Sequence, residues 1–281
     1  ISACLVGSEM CIRDSQKVNV LTRAIMDIGF IFSGFIVGLL VGLTGVGGGS
    51  LMTPILVLFF HIKPALAVGT DLLYASVTKS VGIFAHGKLG NIDWKIVKRL
   101  MVGSIPASIL TTYYLRQIDV ASTGAVDIIK FYLGIALLLT SIAVIFRPYL
   151  IEKSKVTLLK TDSAIAIATI ILGLILGGLV TLTSVGAGAL GVTALLLIYP
   201  KIGITKIVGT DIAHAVPLTL VAGIGHASLG TVDYSLLGVL LIGSIPGIYI
   251  GSHLSSKVSE QSVRYVLALI LIYVGQKLIF H

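Results

Sequence analysis

The 281-residue chain is 56% hydrophobic and only 11% charged, with a formal net charge of +8. A soluble domain carries roughly a quarter of charged residues, so this chain has too few to cover a water-facing surface and is solvated by lipid. Its basic residues sit in short loops between apolar runs, which is the positive-inside pattern and excludes a nucleic-acid partner. The runs have the ~20-residue length of spanning helices and lack the alternation of barrel strands.

Residues 1–26 read as an N-terminal tail. Within it, Ser8-Glu9-Met10-Cys11-Ile12-Arg13-Asp14-Ser15 resembles a translated sequencing-adapter sequence, and residues 1–15 are expected to be non-native. Cys4 and Cys11 both fall there and carry no disulfide or metal argument. No cleavable signal peptide is recognised, so the first apolar segment is expected to stay in the membrane. A first transmembrane repeat covers 27–147, a basic polar linker 148–162 and a second repeat 163–281. Repeat one begins with an apolar run over 28–46 that breaks at Gly45-Val46-Gly47-Gly48-Gly49. A short apolar piece over 51–60 then covers about 15 Å, half a bilayer. Spans follow over 65–85, 97–115 and 128–146. Repeat two has an apolar run over 164–183, a small-residue break over 184–191, a short piece over 192–199, and spans over 207–225, 236–252 and 264–280.

The duplication is written into the residues. Val68-Gly69-Thr70-Asp71 returns as Val208-Gly209-Thr210-Asp211. His86, Leu89, Gly90 and Asp93 return as His226, Leu229, Gly230 and Asp233. Gly103-Ser104-Ile105-Pro106 returns as Gly243-Ser244-Ile245-Pro246. Every pair is 140 positions apart, as 208 is from 68. A duplicated, membrane-embedded half is the build plan of many transporters. The loop 87–99 holds Lys88, Lys95, Lys98 and Arg99, whereas its counterpart 227–239 holds no Lys or Arg. That contrast favours an all-α polytopic protein whose halves are inverted relative to each other, with broken helices near mid-membrane. A parallel repeat, in which each broken segment counts as one kinked span, is the other arrangement.

The breaks are the first site candidates. They read Thr44-Gly45-Val46-Gly47-Gly48-Gly49-Ser50 and Thr183-Ser184-Val185-Gly186-Ala187-Gly188. Unwound backbone within a membrane must be buried in protein or line a wet cavity. The short helix that follows each break starts with free N–H groups and the positive end of its dipole, which suits a small anion. Thr44, Ser50, Thr183 and Ser184 add hydroxyls without charge. Gly47, Gly48, Gly49, Gly186 and Gly188 would let backbone approach a ligand, or alternatively let helices pack closely.

The chain resembles the TauE/SafE sulfite-exporter family of membrane permeases. The residues that carry the likeness are Gly42-Leu43-Thr44-Gly45-Val46-Gly47-Gly48-Gly49, Ala67-Val68-Gly69-Thr70, Gly90-Asn91-Ile92-Asp93-Trp94 and the Gly103 and Gly243 motifs. The likeness runs over 27–281. It implies export of sulfite or a small organosulfur anion across the cytoplasmic membrane. Repeat two departs from the pattern with Ala187 and Ala189, so its backbone is expected to approach a ligand less closely than that of repeat one.

Thr70 and Thr210 precede the two intramembrane carboxylates, Asp71 and Asp211. A carboxylate at that depth costs about 2.5–3.5 kcal/mol on insertion scales and usually has a partner or a task. One reading makes each pair a helix N-cap at interfacial depth. The other makes a protonated Asp a donor to the anion, hence a proton-coupling group. Lys79 lies eight residues after Asp71 on the same helical face, about 12 Å along the axis. It would attract the anion, snorkel, or pair with a carboxylate. Thr219 replaces it in repeat two, which makes a cationic role one-sided. His214 shares the face of Asp211 and is a relay candidate. His86 and His226 are expected in solvated or capping positions. Pro106, Pro217 and Pro246 fall inside spans as kinks or hinges.

Alternating access at a site between the repeats is the expected mechanism. No cofactor or metal site is expected, and the partners are a small anionic substrate and the bilayer; nothing in the sequence fixes an oligomeric state. An anion channel or an uncoupled uniporter is the alternative. An intramembrane hydrolase would have to rest on Ser184 and His214, which lack a nucleophile-elbow pattern, so no enzyme activity is expected.

Overall fold

The structure is a computed structural model, and it describes residues 26–43, 49–88, 90–118, 123–153, 161–254 and 260–280. Among these the chain is helical, with no strand. Helix α1 spans Met26–Leu43. It is followed by α2 (Gly49–Leu58), α3 (Pro64–Lys88), α4 (Trp94–Gln117) and α5 (Thr123–Lys153). The second half repeats the order with α6 (Asp162–Thr183), α7 (Ala189–Ile198), α8 (Ile204–Ser228), α9 (Tyr234–Leu254) and α10 (Glu260–Phe280). Five of the described helices, α1, α5, α6, α8 and α9, are long and apolar enough to cross a membrane. Helices α3, α4 and α10 have the length, at 25, 24 and 21 residues, and carry more polar groups.

The repeated loop motifs are helix starts. Asp93 N-caps α4 by accepting from the N–H groups of Lys95 and Ile96, and Asp233 accepts from those of Ser235 and Leu236 in the same way. Trp94 and Tyr234, the next residues, are exposed as interface anchors would be. The short helices fold back. The rings of Phe30 on α1 and Phe60 just after α2 lie 4.5 Å apart, so the chain leaves α2 at the level where α1 began.

The repeated Gly-Ser-Ile-Pro motif is a packing device. A side chain on Gly103 would strike the carbonyl of Ile170 on α6, and one on Gly243 the carbonyl of Ile31 on α1. Gly173 and Gly177 on α6 meet the carbonyls of Leu100 and Ser104, while Gly34 and Gly38 on α1 meet those of Leu240 and Ser244. Small residues four apart bring two backbones together, the usual seam between membrane helices. Each half therefore lends its first helix to the fourth helical element of the other half, and the two pairs each run parallel.

Equivalent helices pack against each other in the opposite sense. Gly69 on α3 lies against His226 and Thr231, and Gly223 on α8 against Leu73, so α3 and α8 run antiparallel. Gly134 on α5 faces Ile279 and Gly275 on α10 faces Leu138, so that pair is antiparallel too. Two cross-bonds follow the same exchange. Thr70 Oγ1 accepts from the N–H of Asp233 at 3.0 Å, and Thr210 Oγ1 accepts from the N–H of Asp93 at 2.9 Å. Contacts that swap partners between halves are the mark of a two-fold relation. Helix α8 lies at its centre: 72% of its apolar window is buried, against 33% for α6 and for α9.

Candidate functional site

The second-half break is built by three residues with left-handed or otherwise positive φ. Helix α6 ends on Ser184 at φ 57°, and Gly186 and Gly188 follow at φ 119° and 126°. The chain then enters α7 at Ala189, with residues 183–188 all buried. Thr183 is spent on this turn, since its hydroxyl donates to Leu179 O and accepts from Val185 N. Residues 44–48 of the first-half break, with Thr44, Gly47 and Gly48, lie outside the described residues, as do the side-chain surroundings of Ser50. Gly49 is the first residue of α2.

Each buried carboxylate sits on the short helix of its own half. Asp71 Oδ2 accepts from Thr53 Oγ1 at 2.5 Å and from the N–H of Thr53 at 3.2 Å. Asp211 faces the N–H of Gly188 at the start of α7, and a side chain on Gly191 would collide with its Oδ1. The positive helix end to which the sequence assigns an anion thus already holds a resident one in the second half. Asp71 and Asp211 are 0% and 1% exposed and lie seven residues into 25-residue helices, after Pro64 and Ile204. The helix-cap reading is therefore corrected: Gly203 is the cap of α8, and both carboxylates are about 10 Å deep in their helices.

Lys79 joins the halves. Buried among α3 and its neighbours, its ammonium donates to Ala187 O at 3.1 Å and faces both Asp211 and Asp71. It does not snorkel; Thr219, its counterpart, bonds back to its own helix at Ala215 O, so the second half supplies no cation at the equivalent position. His214 is fully buried and its Nε2 lies 2.8 Å from Ser104 Oγ. Its counterpart Tyr74, also buried, faces Ser244, whose hydroxyl donates to Leu241 O. Ser184 faces Asp71, not His214, so the Ser184–His214 pair of the hydrolase reading is not formed.

Two residues behave otherwise than the sequence led one to expect. His226 is 2% exposed, so of its solvated and capping readings the solvated one fails: its Nε2 donates to Thr181 O in the last turn of α6, and Nδ1 lies 2.9 Å from Thr231 Oγ1. His86 is in the last turn of α3, and its side chain lies outside the described residues. Arg147, which the sequence places at the edge of the linker, is buried near the end of α5 and faces Asp211. A basic residue next to a linker reads as a loop charge, and only its position against Asp211 identifies it.

Among the described residues, the buried side-chain polar atoms without a hydrogen-bond partner in the protein are Asp71 Oδ1, Tyr74 OH, Ser184 Oγ, Asp211 Oδ1 and His214 Nδ1. Asp71, Asp211 and His214 face Lys79, and Ser184 and Tyr74 face Asp71. Buried polar atoms are normally satisfied, so their concentration at one place marks it as the site of something polar.

Residues 30–278 match the sulfite exporter TauE/SafE family. The chain belongs to that family. It is similar to the probable membrane transporter protein YjnA of Bacillus subtilis, 42% identical over 90% of this chain and 100% of the relative. It is also similar to the probable membrane transporter protein YdhB of Bacillus subtilis, 27% identical over 88% and 97%. A third relative is the probable membrane transporter protein MJ0441 of Methanocaldococcus jannaschii, 29% identical over 87% and 92%. No solved structure matches the chain. TauE/SafE membership and the apolar helices together make this a multi-pass membrane protein of a transporter family.

Proposed function

We propose that the protein exports a small anion, sulfite or a small organosulfur anion, by alternating access at a site between its two halves in the cytoplasmic membrane. The observation that carries this reading is a set of five unpartnered buried polar atoms, on Asp71, Asp211 and His214 that face the buried ammonium of Lys79 and on Ser184 and Tyr74 that face Asp71. Lys79 has three N–H donors and spends one on Ala187 O. The others make no further hydrogen bond among the described residues and can hold an anion of a few atoms, with Ser184 Oγ and Tyr74 OH as hydroxyl donors. Thr70 and Thr210 tie each half to the loop of the other and act by position.

The antiparallel packing of α3 on α8 and of α5 on α10 supports reading the halves as an inverted repeat. The basic loop 87–99 then marks the cytoplasmic face, and the neutral loop 227–239 the outer one. Lys79, held between two symmetry-related carboxylates, would be reached from either face in turn.

Flux of sulfite in proteoliposomes, with sulfate, sulfoacetate and acetate as competitors, tests the reading. Saturable sulfite transport that is lost in Lys79→Met while the variant stays monodisperse is expected. Sulfite flux equal to that of protein-free vesicles overturns it.

A further inference from the structure

The charges buried with the site balance. Among the described residues, the buried charged side chains other than histidine are Asp71, Lys79, Arg147 and Asp211, two cations and two carboxylates. They alternate in sign: Arg147 faces Asp211, Asp211 faces Lys79, and Lys79 faces Asp71. His214 also faces Lys79 and is counted as the neutral ring. His226 is engaged with Thr181 and Thr231, away from the cluster. Helices α2, α6 and α7 contribute hydroxyls and main-chain groups here, Thr53, Ser184 and Gly188 among them. A site of net zero charge becomes negative when a monoanion enters. An uncompensated charge inside a membrane protein is expensive, so it is paired or neutralised.

The two carboxylates are not equally exposed to that change. If the anion settles on Lys79, Asp211 keeps Arg147 and the N–H of Gly188. Asp71 keeps only the neutral donor Thr53. Its Oδ1, which has no partner among the described residues, is where a proton can add.

We propose that Asp71 takes up one proton for each monoanion bound at Lys79, so that anion and proton cross together and transport is electroneutral. This rests on the anion site proposed above. Asp71→Asn leaves the site one positive charge in excess, which the anion alone then balances. That variant carries the anion without the proton.

The test uses the full chain in proteoliposomes and bisulfite as the probe, on the acid side of neutrality where sulfite is chiefly that monoanion. A pH gradient and a valinomycin–potassium potential are imposed separately, and protein-free vesicles set the background. A potential of about 100 mV shifts the accumulation ratio of an uncoupled monoanion by roughly 50-fold. The wild type should follow the pH gradient and move by less than about twofold with the potential. Asp71→Asn should lose the response to the pH gradient and acquire the response to the potential. Wild-type flux that follows the potential overturns proton coupling and leaves the anion site standing, and it needs no variant to be read. An Asp71→Asn protein that is monodisperse and still driven by the pH gradient also overturns it. No bisulfite flux above background overturns both readings.

Discussion

The Lys79 ammonium of α3 donates to the main-chain carbonyl of Ala187, 3.1 Å away and 108 residues further along the chain. A single side chain thereby fastens the unwound segment of the second half to the central helix of the first, and holds positive charge between Asp71 and Asp211. Removing one member of a buried charge group typically costs about 3–5 kcal/mol, because its partners stay behind unbalanced. Lys79→Met should lose stability on that scale in detergent thermal unfolding. Lys79→Met combined with Asp211→Asn should recover part of the loss. A double variant whose destabilisation is the sum of the singles would show that the two groups are not coupled.

Two glycine substitutions should separate function from packing. A methyl on Gly191 meets Oδ1 of Asp211, the end of a side chain that can turn away, whereas a methyl on Gly177 meets the backbone carbonyl of Ser104. Gly191→Ala should fold and lose anion flux by displacing the carboxylate from the start of α7. Gly177→Ala should force α4 and α6 apart at a cost of about 1–3 kcal/mol. Thermal unfolding and flux measured on both proteins check this, and a Gly191→Ala protein with wild-type flux would remove Asp211 from the mechanism.

The duplication, the broken helices, the spans and the buried Asp pair are all legible in the sequence. Each is written in a local signal: a constant offset, a glycine run, an apolar run, a charge inside one. What is not legible depends on contacts between the halves. Nothing next to Lys79 in sequence points to Ala187, and nothing next to Ser104 points to His214. His226 reads as a loop residue because it ends an apolar run, yet the cross-packing of Gly69 buries it under α3. Arg147 reads as a linker charge because α5 runs on past it to Lys153.

His226 provides a check on that buried position. Its Nε2 satisfies the carbonyl of Thr181, in the last turn of α6, and its other nitrogen meets Thr231. A buried acceptor left without its donor costs about 1–3 kcal/mol. His226→Ala should therefore lower the unfolding midpoint, with flux per folded molecule retained because the residue lies outside the Lys79 cluster. A solvated histidine would give no measurable change in stability.

Lys95 and Ser235 are equivalent positions, 140 residues apart, each exposed at the start of α4 or α9. In an inverted repeat they face opposite sides of the membrane, and in a parallel one the same side. With Cys4 and Cys11 replaced by Ser, a cysteine at position 235 should react with an impermeant maleimide added to intact cells. A cysteine at 95 should react only after the membrane is opened, since the inverted reading puts the basic loop 87–99 inside. Labelling of both from outside, or of neither, would contradict the inverted arrangement. The antiparallel contacts of α3 with α8 would then describe helices that cross the membrane in some other order.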